Sequence, residues 1–443
     1  MKSKENIRDF GKYVSLNVMG MIGLSCYILA DTFFVSKGLG TDGLAALNLA
    51  IPVYNFIHGS GLMIGMGGGT RYSICKSRKD DGEANRTFTT AVCLAAGFAL
   101  FYMLLGLFAT GTILRLFGAE GRVYEMSHTY LQVILLFAPA FLMNNVLLCF
   151  TRNDGAPQRS MAAMIGGSLS NVVLDWVFIF PCGMGIFGAV FATGLAPIIS
   201  MMILSPHILK KRNGFHFTRC LPQPARVGKI LSSGLPSLVT EASSGIVIIV
   251  FNSIIMGLEG NVGVAAYGVI ANLSLVFIAV YTGIGQGIQP LISRSYGAGR
   301  KEEMRVFFRY ALTVMLVFSA GIYACVFFWA SPIASIFNSE QNARLQEIAR
   351  EGLRLYFTAC PFAGFNVIAA VYFTSGANPL PAHIISLLRG FVVIIPMAFL
   401  LSRAAGLAGV WCSFPATEIL VAAVGLLLFL RAKNGRSTGP ARR

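Results

Sequence analysis

Four acidic side chains stand inside apolar stretches of the sequence, and they are the residues best placed to do chemistry. Of the 19 acidic residues, Asp31, Asp175, Glu241 and Glu418 lie well within segments that could cross a bilayer. A charge near the bilayer centre costs about 2.5–3.5 kcal/mol on the insertion scale, so a carboxylate kept there is a functional hypothesis by default. The alternative for each acid is a structural role, in which it pairs with groups of a neighbouring helix.

Two of these acids are predicted to share one depth, towards the outer leaflet. At about 1.5 Å per residue, Asp31 and Asp175 lie roughly 27 and 26 Å along their helices from the inner surface. Thr193 reaches the same level from the opposite direction. Asn171 and Tyr27 each precede an acid by four residues and therefore share its helix face.

These five residues would form a cluster of hard oxygen donors in the first half of the chain. Such donors suit a proton or a small cation, and the set contains no soft ligand for a transition metal. Two carboxylates close together in low dielectric also favour retention of a proton by one of them. We therefore predict a cation-coupling site here. Sodium is the one metal ion predicted, with four ligand residues: Asp31, Asn171, Asp175 and Thr193.

The second half has no acids at the equivalent positions, so its polar groups require a separate interpretation. Glu241 and Glu418 lie near the predicted midplane and could present negative charge to a cationic substrate. Pairing with Arg389, or with hydroxyls such as that of Thr240, is the structural alternative. Three apolar side chains are candidates to line a greasy, adaptable cavity: Met63, Met66 and Phe277.

A membrane-spanning framework must position these groups, and the composition supports one. The 443 residues are 55% hydrophobic and 12% charged, whereas about 25% of an ordinary soluble domain is charged. Polar breaks and Gly/Pro punctuation divide the chain into twelve apolar spans of bilayer length. The predicted spans are 13–36, 46–72, 87–112, 124–150, 158–180, 186–208, 229–257, 263–292, 305–330, 346–373, 380–402 and 406–430.

The two halves of the sequence resemble each other at an offset of about 218 to 222 residues. The glycine ladder Gly65, Gly67, Gly69 recurs as Gly283, Gly285, Gly287. An even number of spans per half makes the repeats parallel, and such pairs commonly enclose a central pathway. We predict an all-α polytopic membrane protein with twelve transmembrane helices in two six-helix bundles, related by a pseudo-twofold axis along the membrane normal. Its predicted parts are an N-terminal lobe (1–209), a cytoplasmic linker (210–226), a C-terminal lobe (227–431) and a basic tail (432–443).

The distribution of charge predicts orientation and excludes several classes of protein. With the N-terminus inside, 27 of the 35 Lys and Arg residues are cytoplasmic, seven are outside, and Arg389 lies within a span. The positive-inside rule then places both termini in the cytoplasm. The basic residues do not gather on one face, as nucleic-acid binding requires. The nine scattered cysteines form no C-x-x-C, so neither disulfides nor a zinc site is predicted.

Six sequence pieces, taken in order, resemble the multidrug and toxic compound extrusion (MATE) family, in particular its bacterial multidrug-exporter branch. They are Ala30-Asp-Thr-Phe-Phe-Val, Leu44-Ala-Ala-Leu with Pro52, the ladder from Gly65 to Ser73, Asn171-Val-Val-Leu-Asp175, Gly185-Ile-Phe-Gly-Ala-Val-Phe-Ala-Thr193 and Gly283-Ile-Gly-Gln-Gly-Ile-Gln-Pro-Leu-Ile-Ser. The resemblance covers essentially the whole chain. It implies a two-lobe antiporter in which Asp31, Asn171, Asp175 and Thr193 match the cation-coupling positions. Glu241 departs from the pattern, because members with a helix-seven glutamate carry it about one turn further along.

The predicted function is secondary active export of lipophilic organic cations in exchange for protons or sodium ions. The protein is expected to act as a monomer among membrane lipids, without a cofactor or a nucleic-acid partner. A flippase of lipid-linked or polysaccharide precursors is the alternative within transport, but it would favour many cationic residues in its cavity. The charge count assigns only Arg389 to the interior of a span and the other basic residues to the loops. A receptor or an enzyme is the alternative from another class, and no catalytic motif supports it.

Overall fold

The computed structural model describes residues 2–338 and 341–434, and the regular elements in these ranges are helices. The helices are α1 (Lys2–Ser77), α2 (Asp81–Phe108), α3 (Thr110–Leu116), α4 (Gly121–Leu136), α5 (Ala138–Asn153), α6 (Pro157–Ile179), α7 (Gly185–Leu209), α8 (Pro224–Gly297), α9 (Lys301–Phe337), α10 (Ala343–Tyr356), α11 (Cys360–Ser375), α12 (Pro379–Leu387) and α13 (Ile394–Asn434). A 3₁₀ turn (Phe357–Ala359) joins α10 to α11, and a π-helical turn (Leu388–Val392) precedes α13. Beyond Asn434, the predicted basic tail lies outside the described residues.

Two helices are far too long for one crossing, and each is broken at a single glycine. α1 and α8 contain 76 and 74 residues, roughly 110 Å of helix, whereas a hydrocarbon core is about 30 Å thick. Gly40 (φ 68°, ψ −155°) interrupts α1, and Gly260 (φ 60°, ψ −150°) interrupts α8. This region of backbone space favours glycine, which has no Cβ. Each long helix therefore supplies two crossings.

The number of crossings agrees with the sequence. Eight helical stretches of the described residues are long and apolar enough to span a bilayer, and α4 with α5, bent by 47°, forms a ninth. Three of the nine, namely α1, α8 and the stretch Pro379–Arg431, are divided by non-helical glycines at positions 40, 260 and 406. Within the described ranges the chain thus has the twelve predicted spans.

The duplication seen in the sequence is also present in the backbone. Residues with positive φ recur in the two halves 220 to 222 positions apart. The pairs are Gly40 with Gly260, Lys79 with Gly299, Gly121 with Gln341, Gly155 with Ala377, and Gly185 with Gly406. These residues lie at the breaks between helices, so the two halves share the order and geometry of their connections.

Each half has its own apolar core. The N-lobe (α1–α7) buries an aromatic group that includes Phe88 and Phe150, and the C-lobe (α8–α13) buries one that includes Trp411. Large apolar side chains remain on the outer faces, such as Phe108, which is 81% exposed, and Phe328, which is 74% exposed. In a bilayer these side chains contact lipid tails, which are as apolar as leucine.

The segment between α7 and α8 lies against the N-lobe. Phe215 is buried there, and its ring centroid lies 4.7 Å from that of Phe88. The backbone N–H of Gly214 donates to Asp154 Oδ2 at 2.7 Å. We call the end of the bundle that carries residues 210–223 the linker end, and the opposite end the far end.

The lobes contact each other at the linker end through the glycine ladder. A Cβ atom on Gly67 would lie 2.0 Å from the carbonyl oxygen of Ile230, and one on Gly287 would lie 2.7 Å from Val14 Cα. Small residues allow such close approach of helix backbones. Towards the far end, the hydrogen bonds and ion pairs between lobes in the described ranges end at Ser25 and Asn55. The lobes are therefore closed at the linker end.

Candidate functional site

The N-lobe encloses a pair of carboxyl groups. Asp31, in the first crossing of α1, is 7% exposed, and Asp175, in α6, is fully buried. Their carboxyl groups lie next to each other. The Oδ1 atom of each is buried and has no hydrogen-bond partner among the residues that the structure describes. Two carboxyl groups in such contact need a shared proton or a cation, because like charges in a low dielectric repel strongly.

An amide and two hydroxyls complete what we call the carboxyl cluster: Asp31, Asp175, Asn171, Thr193 and Tyr130. With its nitrogen turned to the carboxylate, the Asn171 amide donates to Asp175 Oδ2 at 3.0 Å and accepts from the backbone N–H of Thr193 at 3.3 Å. In the opposite orientation, it donates to Thr193 Oγ1 at 3.5 Å. The structure thus brings together the four residues that the sequence suggested as sodium ligands.

Tyr130 belongs to the carboxyl cluster but was not predicted from the sequence, whereas Tyr27 was predicted as a member and lies at its border. Tyr130, in α4, is 3% exposed, and its hydroxyl lies close to the side chain of Thr193. No motif in α4 indicated a functional role for Tyr130, and the one feature of the sequence that could have done so is a polar hydroxyl within an apolar span. The hydroxyl of Tyr27, by contrast, pairs with that of Tyr54 at 3.2 Å. Tyr27 therefore borders the carboxyl cluster and connects it to the second crossing of α1.

Glu418 pairs with Arg389, which is the structural role that the sequence left open as an alternative to substrate binding. It is fully buried, its Oε1 accepts from Arg389 Nε at 2.5 Å, and its Oε2 accepts from Asn366 Nδ2 at 2.7 Å. A buried carboxylate paired in this way is not free to receive a substrate cation. Glu418 is therefore removed from the candidates for the substrate cavity.

Glu241 differs from the other three acids within spans. It is half-buried, and in the described part of the chain its carboxylate has no hydrogen bond or ion pair. The neighbouring hydroxyl of Thr240 donates to Pro236 O at 2.8 Å instead. Glu241 therefore remains a candidate to meet a positively charged group from outside the chain.

The three apolar candidates for a cavity wall are packed elsewhere. Phe277 is 2% exposed in the C-lobe core, where its ring centroid lies 5.0 Å from that of Phe357. Met63 and Met66 are buried in the contact between the lobes. A Cβ atom on Gly234 would lie 1.8 Å from Met63 O. Their assignment to a cavity was wrong for this state, because large apolar side chains in a helical bundle fill cores and contacts first.

A buried arginine joins the lobes at the linker end. Arg152, in α5, is 1% exposed, and its Nη1 donates to Asn17 Oδ1 at 2.7 Å and to Gln286 Oε1 at 2.6 Å. No carboxylate of the described residues forms an ion pair with it, and its Nε has no partner there. The sequence placed Arg152 in a loop, but α5 continues to Asn153.

An ion pair outside the spans also connects the two lobes. Arg226, at the start of α8, donates to both carboxylate oxygens of Glu83 in α2, each at 2.9 Å. The hydrogen bonds from Arg226 lower the pKa of Glu83, and those to Glu83 raise the pKa of Arg226. Bidentate arginine–carboxylate ion pairs of this kind fix the relative orientation of the two side chains in addition to the electrostatic attraction. The linker end is thus held closed by polar contacts in addition to backbone packing.

The protein family is decided by comparison of the chain with family models. The MatE family model matches residues 18–177 and 236–400. The chain belongs to the MatE family. This confirms the MATE resemblance seen in the sequence, and the matched ranges include Asp31, Asn171, Asp175 and Glu241.

Curated relatives and solved structures extend the MATE match over nearly the whole chain. The "Multidrug export protein MepA" of Staphylococcus saprophyticus is 25% identical over 409 residues, which cover 91% of this chain and 89% of that protein. A MATE crystal structure in complex with MaL6 has a TM-score of 0.92 at 24% identity and covers 98% of both chains. An outward-facing multidrug resistance MATE transporter has a TM-score of 0.91 at 24% identity, covering 97% of this chain and 96% of that chain. The predicted fold of two six-helix bundles is confirmed.

Among the described residues, no group of three or more His, Cys, Asp or Glu side chains is arranged to hold a metal ion. The carboxyl cluster contributes two carboxylates, with an amide, a threonine hydroxyl and a phenol as its remaining polar groups. This is a donor set for a proton or sodium, since both accept oxygen partners and neither needs sulfur or imidazole.

Proposed function

We propose that the protein is a secondary active antiporter that exports lipophilic organic cations in exchange for protons or sodium ions. The observation that carries the proposal is the carboxyl pair Asp31–Asp175, enclosed in one lobe of a MATE transporter. Curated relatives named as multidrug export proteins support a drug-like substrate. We expect a monomer surrounded by lipid in a bacterial inner membrane.

The carboxyl cluster provides a physical basis for exchange. Enclosed and without a cation, Asp31 and Asp175 would place two negative charges in contact in a low dielectric, which is strongly unfavourable. A proton or sodium ion removes that repulsion, and the unpartnered Oδ1 atoms are available to receive it. Release of the ion becomes favourable when the site is opened to water or when a cationic substrate approaches. The ion gradient can then drive the substrate in the opposite direction.

The linker end is assigned to the cytoplasm. The sequence places 27 of its 35 Lys and Arg residues on that side, in agreement with the positive-inside rule. Closure at the linker end then corresponds to a state open to the outside. Parallel repeats commonly alternate access by rocking of one lobe against the other.

A flippase is less well supported, because its pyrophosphate-bearing substrate would need free cationic groups within the bundle. Arg389 and the buried Arg152 are both engaged. Arg389 pairs with Glu418 at 2.5 Å, and Arg152 donates to two amide oxygens. Neither presents an open guanidinium to a large anion in this state.

Transport in proteoliposomes tests the proposal. Purified protein is reconstituted with ethidium, and a proton gradient and a sodium gradient are imposed separately. We expect one of the two gradients to drive ethidium against its concentration, with a counterflow of the ion. If neither gradient moves any member of a panel of organic cations, although the protein is inserted and folded, the proposal is wrong.

A further inference from the structure

A cavity of about 440 Å³ lies on the N-lobe at the linker end. Its lining residues belong to α2, to the end of α7 and to the linker segment that follows. The rings of Phe88 and Phe217 and the side chain of Ile208 contribute an apolar wall, and Lys211 and His216 add polar groups. The cavity therefore combines an apolar wall with hydrogen-bond donors, one of which is a cation.

The part of the linker that lines the cavity is fixed against the N-lobe. The backbone N–H of His216 donates to Asn85 Oδ1 at 2.8 Å, and that of Thr218 donates to Thr89 Oγ1 at 2.9 Å. The ring of Phe215 is buried in the N-lobe core. These contacts give the linker wall of the cavity a defined position, so the cavity is a built feature of the fold.

Lys211 follows the end of α7 in a backbone conformation that favours glycine. Its φ is 50°, its N–H donates to Ile208 O, and the N–H of Arg212 donates to His207 O, each at 3.0 Å. Glycine is the usual residue at this cap position because it has no Cβ. A lysine is kept here in spite of the strain, and strained residues of this kind cluster at ligand-binding sites.

The linker carries positive charge that the chain does not neutralise. Four of its basic side chains are exposed, namely Lys210, Lys211, Arg212 and Arg219. No carboxylate within residues 2–338 and 341–434 forms an ion pair with any of them. Clusters of lysine and arginine beside a membrane attract the anionic headgroups of the cytoplasmic leaflet. The missing counter-charge is therefore expected from the bilayer.

The depth of the cavity matches the boundary between lipid headgroups and acyl chains. Phe88 lies about 10 Å from the start of α2, and Ile208 is one residue before the end of α7. Three large apolar side chains nearby in the sequence are exposed: Leu209 by 77%, Phe217 by 64% and Leu221 by 87%. Segments that combine exposed apolar side chains with basic ones lie in the plane of the membrane surface. The linker has this composition.

We propose that this cavity binds one anionic phospholipid of the cytoplasmic leaflet, with an acyl chain against the apolar wall and the phosphate at Lys211 and His216. A free phosphate ion would leave the apolar wall uncovered, and a lipid without net charge would leave the basic side chains without a counter-charge. The inference uses the cytoplasmic assignment of the linker end but not the identity of the exported substrate. Because the lining residues belong to the N-lobe and the linker, the lipid stays bound while the lobes rock.

Native mass spectrometry of the purified full-length protein measures this binding. Dioleoyl phosphatidylglycerol is titrated onto the wild type, onto Lys211→Gln/Arg212→Gln and onto the control Arg78→Gln/Lys79→Gln. The control removes two adjacent exposed charges at the same end, and Lys79 also has a positive φ (60°). Each basic residue near an anionic surface contributes about fivefold in affinity, so the linker variant should bind at least about tenfold more weakly, and the control should bind as the wild type does. Binding by the linker variant within twofold of wild type would overturn the site.

Photo-crosslinking tests the site in the wild-type protein without any variant. Full-length protein in phosphatidylcholine nanodiscs receives a trace of phosphatidylglycerol with a diazirine in its acyl chain, and the cross-linked peptides are identified by mass spectrometry. Cross-links should concentrate on the peptides that contain Phe88 and residues 208–217, and unlabelled phosphatidylglycerol should remove them, whereas added phosphatidylcholine or inorganic phosphate should not. Competition by inorganic phosphate would indicate a small-anion site, and cross-links spread evenly over both lobes would indicate unspecific lipid contact. Either result contradicts the proposal. No ion gradient is used, so failure here leaves the antiporter proposal intact, and loss of export leaves the lipid site intact.

Discussion

Replacement of Arg152 by methionine should shift the protein towards a state in which the lobes separate at the linker end. The change keeps an unbranched stem but removes the two bonds to Asn17 and Gln286, at 2.7 and 2.6 Å. The bond to Gln286 joins the lobes directly. A hydrogen bond to a charged group contributes about 1.5–3 kcal/mol, which corresponds to a roughly 10- to 150-fold change in an equilibrium constant.

A second effect reduces this magnitude. The guanidinium of Arg152 is buried without a carboxylate partner in the described ranges, and its Nε has no hydrogen bond there. Methionine removes the unfavourable burial of that charge in both states, more so in the closed one. The net shift should therefore lie near the lower limit, roughly tenfold in favour of separation at the linker end.

Distances between spin labels measure this shift. Labels at Asp81 and Lys301, the first residues of α2 and α9, report the separation of the lobes at the linker end. Arg152→Met should increase the population with the longer distance. Arg78→Met, at an exposed position of the same end, serves as the matched control and should leave the distribution unchanged. An unchanged distribution for Arg152→Met would refute the role of the buried arginine.

Three further predictions concern other contacts of the described residues. Glu83→Gln should lengthen the same label distances at neutral and mildly acidic pH. The hydrogen bonds from Arg226 lower the pKa of Glu83. The wild-type ion pair is therefore complete above the ordinary pKa of a glutamate and is lost only as the pH falls through the lowered value. Loss of this ion pair should therefore not change the wild-type distances between neutral and mildly acidic pH. Gly234→Ala places a Cβ atom 1.8 Å from the carbonyl oxygen of Met63 in α1, so it should prevent closure at the linker end and abolish cation efflux from cells. The control Gly257→Ala, whose new Cβ has no atom within 4 Å, should retain efflux. Tyr130→Phe removes one hydroxyl from the carboxyl cluster and should slow gradient-driven export in proteoliposomes up to about tenfold. An export rate equal to wild type would exclude the Tyr130 hydroxyl from ion coupling.

The architecture could be predicted from sequence because the bilayer imposes simple rules. Apolar runs of about 20 residues mark crossings, and backbone groups in lipid must be satisfied within helices. The offset between the glycine ladders identified the duplication, and the positive-φ pairs Gly40–Gly260 and Gly185–Gly406 show it in the backbone. The length of α1 and α8 was not anticipated, because one glycine makes a turn where the sequence suggested a longer loop.

The carboxyl cluster was accessible from sequence for a different reason. Depth along a helix follows from residue number, so acids on α1 and α6 could be assigned to one level before their contact was known. Tyr130 could not be found in this way, because tyrosine is common in apolar spans and its partner Thr193 lies on another helix. Their proximity depends on how the helices pack.

The errors in the sequence-based predictions arise from packing between helices. Phe277 was assigned to a cavity wall but lies in the C-lobe core, since sequence does not show which face of a helix is covered. For Glu418, the sequence left substrate binding and pairing with Arg389 both open, and the choice between them depended on packing that brings residues 29 positions apart into contact. Arg152 lies just beyond the predicted span 124–150, but α5 continues to Asn153. Its amide partners Asn17 and Gln286 belong to crossings distant in sequence.

Gradient-driven export by Asp175→Asn tests the central claim most directly. Asparagine keeps the shape and hydrogen bonding of the side chain but removes the charge that meets Asp31 in the carboxyl cluster. In proteoliposomes with an imposed proton or sodium gradient, the variant should fold, insert and still bind tetraphenylphosphonium, while export against the concentration gradient is lost. Asp31→Asn should behave in the same way. Wild-type rates of gradient-driven export by both variants, each inserted normally, would contradict ion coupling at the carboxyl cluster.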